Sequence, residues 1–328
     1  MPSKLSESNN HHFVPRSVLR RFSPDEDRTY VIVFDKISGR TWPGGMATTG
    51  SGKGYNTLIQ PDGARLNFEP EFDETDAAYA RVGEELAATR NISKLDDTAR
   101  RELADVVAVQ LLPTPIVRST LGKLPRDLVE ELKRVELPVP DEAELPTDDQ
   151  VRQASRDLVA TRTGTRNTLL AKDLMLFEPQ GDARFWTSDH PVARYSGAPL
   201  GETGLQSLGV EIYLPIAADL LLGFVCPSLR QTRIRRIDVT GPRTSTQTEV
   251  IELGLPLKIE DKVVGFFNSL QVEASQRFLY AMKDDFELAR KVLALRPHLR
   301  GKDSLNSMCR RSQSSGFVLA NRAISCSN

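Results

Sequence analysis

The sequence predicts a mixed α+β fold in which strand-like and helix-like blocks are segregated instead of alternating. Three observations carry this expectation. Two hairpin patterns open the chain, a helical block runs across residues 71–170, and short apolar strands at 174–225 precede one long amphipathic segment at 259–282. The expected architecture is a small N-terminal hairpin sheet, a helical middle, and a second group of strands covered by a long C-terminal helix. All of this is expected within a single domain over residues 11–295, between a flexible N-terminus at 1–10 and a disordered tail at 296–328.

In chain order, the run His11-His12-Phe13-Val14-Pro15 reads as a strand turning into a helix. A residue before proline is pushed toward an extended conformation, and proline itself suits a helix's first turn. The two imidazoles then lie just outside a helix N-terminus, whose roughly half positive charge disfavours their protonation. Adjacent strand residues point to opposite faces, so His11 and His12 are not expected to serve one site together. Residues 30–34 and 40–42, joined by Ser38-Gly39, read as one hairpin, and 55–59 and 64–68, joined by Pro61-Asp62-Gly63, as another. Helices are expected at 71–88, at 97–112 with Leu103, Val106, Val107 and Leu111 on one face, and at 124–134; Pro113 and Pro115 end the second. The acidic, proline-rich stretch 136–146 reads as a connector, after which Thr147 to Gln150 has the form of a capping box opening a helix toward Leu170. Strands are expected at 174–177, 184–187, 210–214 and 220–225. Val263, Phe266, Phe267, Leu270, Ala274 and Phe278 then fall at helical spacing, which predicts one helix over 259–282, and a further helix at 286–295 stops before Pro297.

Composition narrows the function classes. The 328 residues carry 43 Lys+Arg against 44 Asp+Glu, so the chain lacks the basic excess of a dedicated nucleic-acid binder, and any such contact needs a local patch. Cys226, Cys309 and Cys326 are odd in number and have no metal-binding spacing, which points to a reducing compartment. The first ten residues have no apolar segment of signal type, and the most apolar run, 214–226, is too short to span a bilayer. A soluble cytoplasmic protein with no membrane contact is expected.

Several motifs carry a resemblance. These are His11-His12-Phe13-Val14-Pro15 with Leu19-Arg20-Arg21-Phe22, Gly54-Tyr55-Asn56, Asn67-Phe68-Glu69, and Gln110 to Pro115. Further along stand Phe185 to Val192, Ile212 to Ile216, and the segment from Asn268 to Tyr280. In this order they resemble the domain-of-unknown-function 4238 family, a set of uncharacterised, mainly bacterial proteins, over residues 11–286. Pro113 stands where that family tends to have arginine, and His190 where asparagine is common. The resemblance implies no reaction.

The candidate site residues follow from chemistry. Ser188-Asp189-His190-Pro191 directly follows an apolar strand, where functional groups often sit, although Asp and Ser before proline also bond their own turn. Paired with His12, Asp189 would supply a carboxylate orienting an imidazole, or two ligands for a divalent metal. Arg20 and Ser188 are expected to bind ligand, with Arg20 preferred over Arg21 because it stands in the motif. Asn268 beside the apolar helical stripe is expected to brace a polar site. A His-x-Val-Pro nuclease of the His-Asn-His type fits poorly, since no further histidine follows until His190. The glycine-rich run at 50–54 lacks the first glycine and the Ser/Thr of a phosphate loop. Two readings stay open. One is a His-dependent or metal-assisted hydrolase, with phosphodiesters as candidate substrates. The other is a non-enzymatic binding module for an anionic ligand or partner. On the first, His12→Ala abolishes activity and His11→Ala is milder.

Overall fold

The structure, a computed structural model, describes residues 10–59, 64–112, 114–139, 145–196, 204–207, 209–227 and 245–300. The fold is mixed α+β. The expected turn at 61–63, Pro113, much of the 136–146 connector, and the flanks 1–9 and 301–328 lie outside the described residues.

Strand β1 (Asn10–His12) pairs antiparallel with β4 (Ser51–Lys53), with His11 opposite Gly52. Pro15, extended at ψ 142°, caps a single turn of helix α1 (Arg16–Leu19), which tightens into a 3-10 turn over Arg20–Phe22. Val14, Val18, Leu19 and Phe22 are all fully buried there. The first hairpin is β2 (Tyr30–Asp35) with β3 (Thr41–Gly45), turning at Gly39, whose φ of +70° glycine adopts without strain. The second is β5 (Thr57–Ile59) with β6 (Arg65–Asn67).

The helical middle comprises α2 (Asp73–Thr89), α3 (Asp97–Leu111), α4 (Pro115–Arg134), α5 (Asp148–Ala160) and α6 (Arg162–Leu170). Pro115 opens α4 at its first turn, where proline's missing N–H is harmless, so α4 begins nine residues before the expected 124. The capping box opens α5, with Thr147 N–H to Gln150 Oε1 at 2.7 Å and Gln150 N–H to Thr147 Oγ1 at 3.3 Å. The single helix expected to reach Leu170 is broken at Thr161, whose hydroxyl donates back to Leu158 O at 2.8 Å.

Five strands form the larger sheet. They are β7 (Asp173–Pro179), β9 (Ala193–Ser196), β10 (Val210–Ala217), β11 (Leu220–Val225) and β12 (Leu257–Ile259), in the order β12-β7-β11-β10-β9. Only β12 and β7 run parallel. Every residue of β10 and β11 is buried, as a sheet covered on both faces requires. Ile212, Leu214, Ile216 and Leu222 share a core with Tyr79, Val82 and Leu86 of α2 and Leu103 and Val107 of α3. Tyr213 and Leu221 face the other way, against Val264, Phe267 and Leu270 of α8 (Asp261–Ala274). The short helix α7 (Ser245–Glu252) precedes β12.

The N-terminal hairpin does not stand alone as a sheet. It continues through β13 (Phe278–Ala281) to β8 (Thr187–Ser188), in the order β3-β2-β13-β8, so two of its four strands come from the second half of the chain. Helix α9 (Glu287–Leu295) covers it through Phe286, Ala289 and Leu293, with Phe34 and Phe286 stacked at 5.0 Å. The helix expected over 259–282 is therefore β12, α8 and β13 in succession. Two buried ionic side chains end α8. Lys36 Nζ donates to Val272 O and Ser275 O, each at 2.8 Å, and Asp189 accepts the N–H groups of the three residues that follow. No helix among the described residues is long and apolar enough to cross a membrane.

Candidate functional site

The two histidines separate as strand alternation requires. His11 is 2 % exposed, and its Nδ1 accepts the N–H of Asn56 at 2.8 Å. His12 faces the other way, half-buried, with Arg16 Nε–H donating to its Nε2 at 3.2 Å. Burial, and then the Arg16 guanidinium, hold the His12 pKa below the usual imidazole value. The expected helix-end charge contributes little, because α1 is one turn long. We expect His11→Ala to destabilise the fold by about 1–2 kcal/mol, the cost of orphaning a buried N–H. His12→Ala should stay within about 0.5 kcal/mol of the parent. Thermal melting of both variants checks this, and the opposite ranking would refute it.

Of the remaining residues singled out from sequence, Asp189, Ser188 and Asn268 are built into the frame. Asp189 is 2 % exposed; its carboxylate accepts from Gln276 N and Arg277 N at 2.8 Å and from Phe278 N at 2.9 Å. Burial raises its pKa, opposed by those three N–H bonds and by Lys36. The expected pairing of Asp189 with His12 is not formed, since its oxygens are committed to this backbone bend. Ser188 Oγ lies 2.8 Å from His190 O and 2.9 Å from Gln271 Oε1, and accepts the His190 N–H at 3.2 Å. His190 Nδ1 meets Thr114 Oγ1 at 2.6 Å. Asn268 and Gln271, one turn apart on α8, fasten the segment between Arg184 and Pro191. Asn268 accepts from Trp186 N and donates to Arg184 O, both at 2.9 Å, and Gln271 donates to Pro191 O at 2.9 Å. Asn268 thus braces backbone. Arg20 is exposed, whereas its neighbour Arg21 is buried and donates through Nε to Ile216 O at 2.7 Å.

Among the described residues no group of three or more His, Cys, Asp or Glu is placed to hold a metal ion.

A cleft lies elsewhere, between α4, α5, the β5–β6 hairpin and the start of α2. It is narrow, opens to solvent, and is lined by Tyr55, Asn56, Phe68 and Phe72 with Arg118, Arg152, Ser155 and Arg156. Three of these come from one face of α5, because positions 152, 155 and 156 are one helical turn apart. Arg118, from the first turn of α4, lies flat over the Tyr55 ring at 3.6 Å. It donates to Tyr55 O, to Asn56 Oδ1 at 2.9 Å and to Ser155 Oγ at 3.4 Å. Arg152 Nη1 holds Thr57 O at 2.6 Å and Gly54 O at 3.2 Å. Arg156 covers the Phe68 ring at 4.4 Å and pairs with Glu71, at 2.8 Å and 3.1 Å to its two oxygens. Among the described residues no carboxylate lines the cleft. Burial raises the Tyr55 phenol above its ordinary pKa, partly offset by Arg118 and Arg152, so it stays neutral.

The histidine motif reaches this cleft indirectly, since His11 holds the N–H of Asn56 while Arg118 holds its side-chain oxygen. Gly54-Tyr55-Asn56 marked one wall in the sequence. The arginines were not singled out there, although the spacing of Arg152, Ser155 and Arg156 on a capped helix was a readable signal.

The model of a family described as protein of unknown function, DUF4238, matches residues 10–285. The chain belongs to this family. No curated protein and no solved structure matches the chain. The span that defines the family contains both histidines, the Ser188–His190 turn and every residue lining the arginine cleft.

Proposed function

We propose that this chain is a binding module for a small anionic ligand, held in the arginine cleft. The observation that carries the reading is the convergence of Arg118, Arg152 and Arg156 on one cleft, with no carboxylate among its described lining residues. Arg152 Nε and Nη2, Arg156 Nη1 and the Ser155 O–H have no hydrogen-bond partner among the described residues. These donors match the several oxygens of a phosphate or sulfate group, and guanidinium forks recognise such planar sets of oxygens well. Each arginine is already fixed by a bond to backbone or side chain, which lowers the ordering cost of binding. Hydrolysis at His12 is the weaker reading, because the His12 Nε2 lone pair is engaged by Arg16 and the Asp189 oxygens are spent on backbone.

Calorimetric titration of the full chain with inorganic phosphate tests the proposal. One saturable site is expected, weakening as salt is added. Arg156→Gln should weaken it about tenfold, the worth of one charge-assisted hydrogen bond, without changing the melting temperature beyond a few degrees. Absence of binding, or binding indifferent to both Arg156→Gln and Arg152→Gln, would sink it.

A further inference from the structure

Resting on that reading of the cleft, we infer that buried His11 is a positioning residue that makes anion binding proton-sensitive: protonated His11 unseats Arg118, and affinity falls as the pH is lowered. Two hydrogen bonds through one residue link them. His11 Nδ1 accepts the Asn56 N–H at 2.8 Å, and Asn56 Oδ1 accepts from Arg118 Nη2 at 2.9 Å. Arg118 rests on the same turn twice more, through its bond to Tyr55 O and its place 3.6 Å above the Tyr55 ring. Arg152 holds the two ends of the turn, at Gly54 O and Thr57 O. Two of the cleft's three arginines thus sit on residues 54–57, and His11 supports that turn from β1.

The turn does not supply this support itself. Tyr55 N–H closes on Gly52 O at 3.3 Å and Thr57 N–H on Gly54 O at 3.1 Å, which leaves the Asn56 N–H to His11. Both partners are buried, so an orphaned donor there is costly. Because an amide N–H only donates, Nδ1 carries the lone pair, and the imidazole is neutral with its proton on Nε2. Protonation places an N–H on Nδ1 against the Asn56 N–H, and the bond is lost. Nothing at hand compensates. Among the described residues no carboxylate bonds His11. The titratable groups about the turn are His12 on β1, Lys53 on β4, the neutral Tyr55 phenol, Arg118 and Arg152. Asp189, the acid that acts on Tyr55, has its oxygens committed to residues 276–278. Histidine ordinarily changes charge between about pH 5 and 8, where arginine does not titrate. The direction is diagnostic, since added positive charge by itself tightens anion binding as the pH falls, whereas loss of the Arg118 seat weakens it.

The test is calorimetric titration of the full chain with sulfate, whose charge is constant over this range, at about pH 8 and about pH 5 and well below the melting temperature. Affinity should fall about fivefold or more at the lower pH, the worth of one lost hydrogen bond in the seat. His11→Asn offers an acceptor oxygen near the place of Nδ1 and does not titrate. It should bind sulfate within about threefold of the parent at the higher pH and lose the fall at the lower one. His11→Ala, with no acceptor, should bind at the higher pH as weakly as the parent does at the lower. His12→Ala should keep the parent's profile. Sulfate binding that is unchanged or tighter at the lower pH would overturn the inference while leaving the anion reading intact. So would a His11→Asn protein that keeps the parent's pH dependence. No sulfate binding at either pH would also overturn it, and inorganic phosphate then decides whether the anion reading falls as well.

Discussion

Replacing Asp189 with alanine is expected to destabilise the fold by about 3–5 kcal/mol, the magnitude of removing one member of a buried ionic network. Three consecutive N–H groups, at Gln276, Arg277 and Phe278, lose their acceptor at once. Lys36 suffers as well. It is fully buried, its pKa is already depressed to about 8 by desolvation, and Asp189 is the largest influence holding that pKa up. Asp189→Asn keeps an acceptor oxygen and should cost less than the alanine variant. Lys36→Met in the Asp189→Asn background should recover part of the loss, because the orphaned cation is then gone. Urea denaturation of the four proteins measures this. If Asp189→Ala unfolds at the parent's midpoint, the bend at 276–278 does not depend on the carboxylate. This is also the measurement that separates a structural from a catalytic Asp189, since a catalytic carboxylate is generally dispensable for stability.

The same bend marks where the sequence stops being legible. The hairpins, α2, α3, α9 and the capping box on α5 all rest on interactions within a few residues, and their patterns are readable. The end of α8 is not local. The apolar stripe from Val263 continues in helical register to Phe278, and nothing nearby says stop. What stops it is Lys36, 236 residues away from the carbonyl it holds, together with Asp189. For the same reason the pairing of β2 with β13, and so the joining of the two ends of the chain in one sheet, is invisible until the chain is folded. The histidines show a finer version of this limit. Alternation says that His11 and His12 face opposite ways, but which face is buried depends on the distant Asn56. The arginine cleft draws on α4, α5, a hairpin and the start of α2, so only its α5 portion had a sequence signature. Arg20 and Arg21 are neighbours in sequence, yet the fold exposes the first and buries the second, a difference that adjacency does not reveal.

That burial carries the second large effect, because Arg21 lies flat against the backbone of α2 at Gly83. A Cβ at Gly83 would meet Arg21 Nη2 at 2.6 Å, Cζ at 2.8 Å and Nη1 at 2.9 Å. Alanine in a helix interior normally gains about 1 kcal/mol over glycine. Here the overlap should dominate, since the guanidinium has no free direction. Its Nε is tied to Ile216 O at 2.7 Å, the Tyr79 ring lies 5.4 Å from its Cζ, and both Nη atoms are enclosed without a hydrogen bond of normal geometry. Gly83→Ala should therefore destabilise by about 2–3 kcal/mol net, at the upper end of overpacking costs. The sign of the coupling is the sharper test. Arg21→Met alone orphans Ile216 O but removes a buried cation that has no salt bridge, so its net cost should be small. In that background Gly83→Ala should become neutral or stabilising, giving an interaction energy of about 2 kcal/mol or more in a double-mutant cycle. A Gly83→Ala protein more stable than its parent would mean that the guanidinium leaves α2 at little cost, and that Gly83 is not there to make room for it.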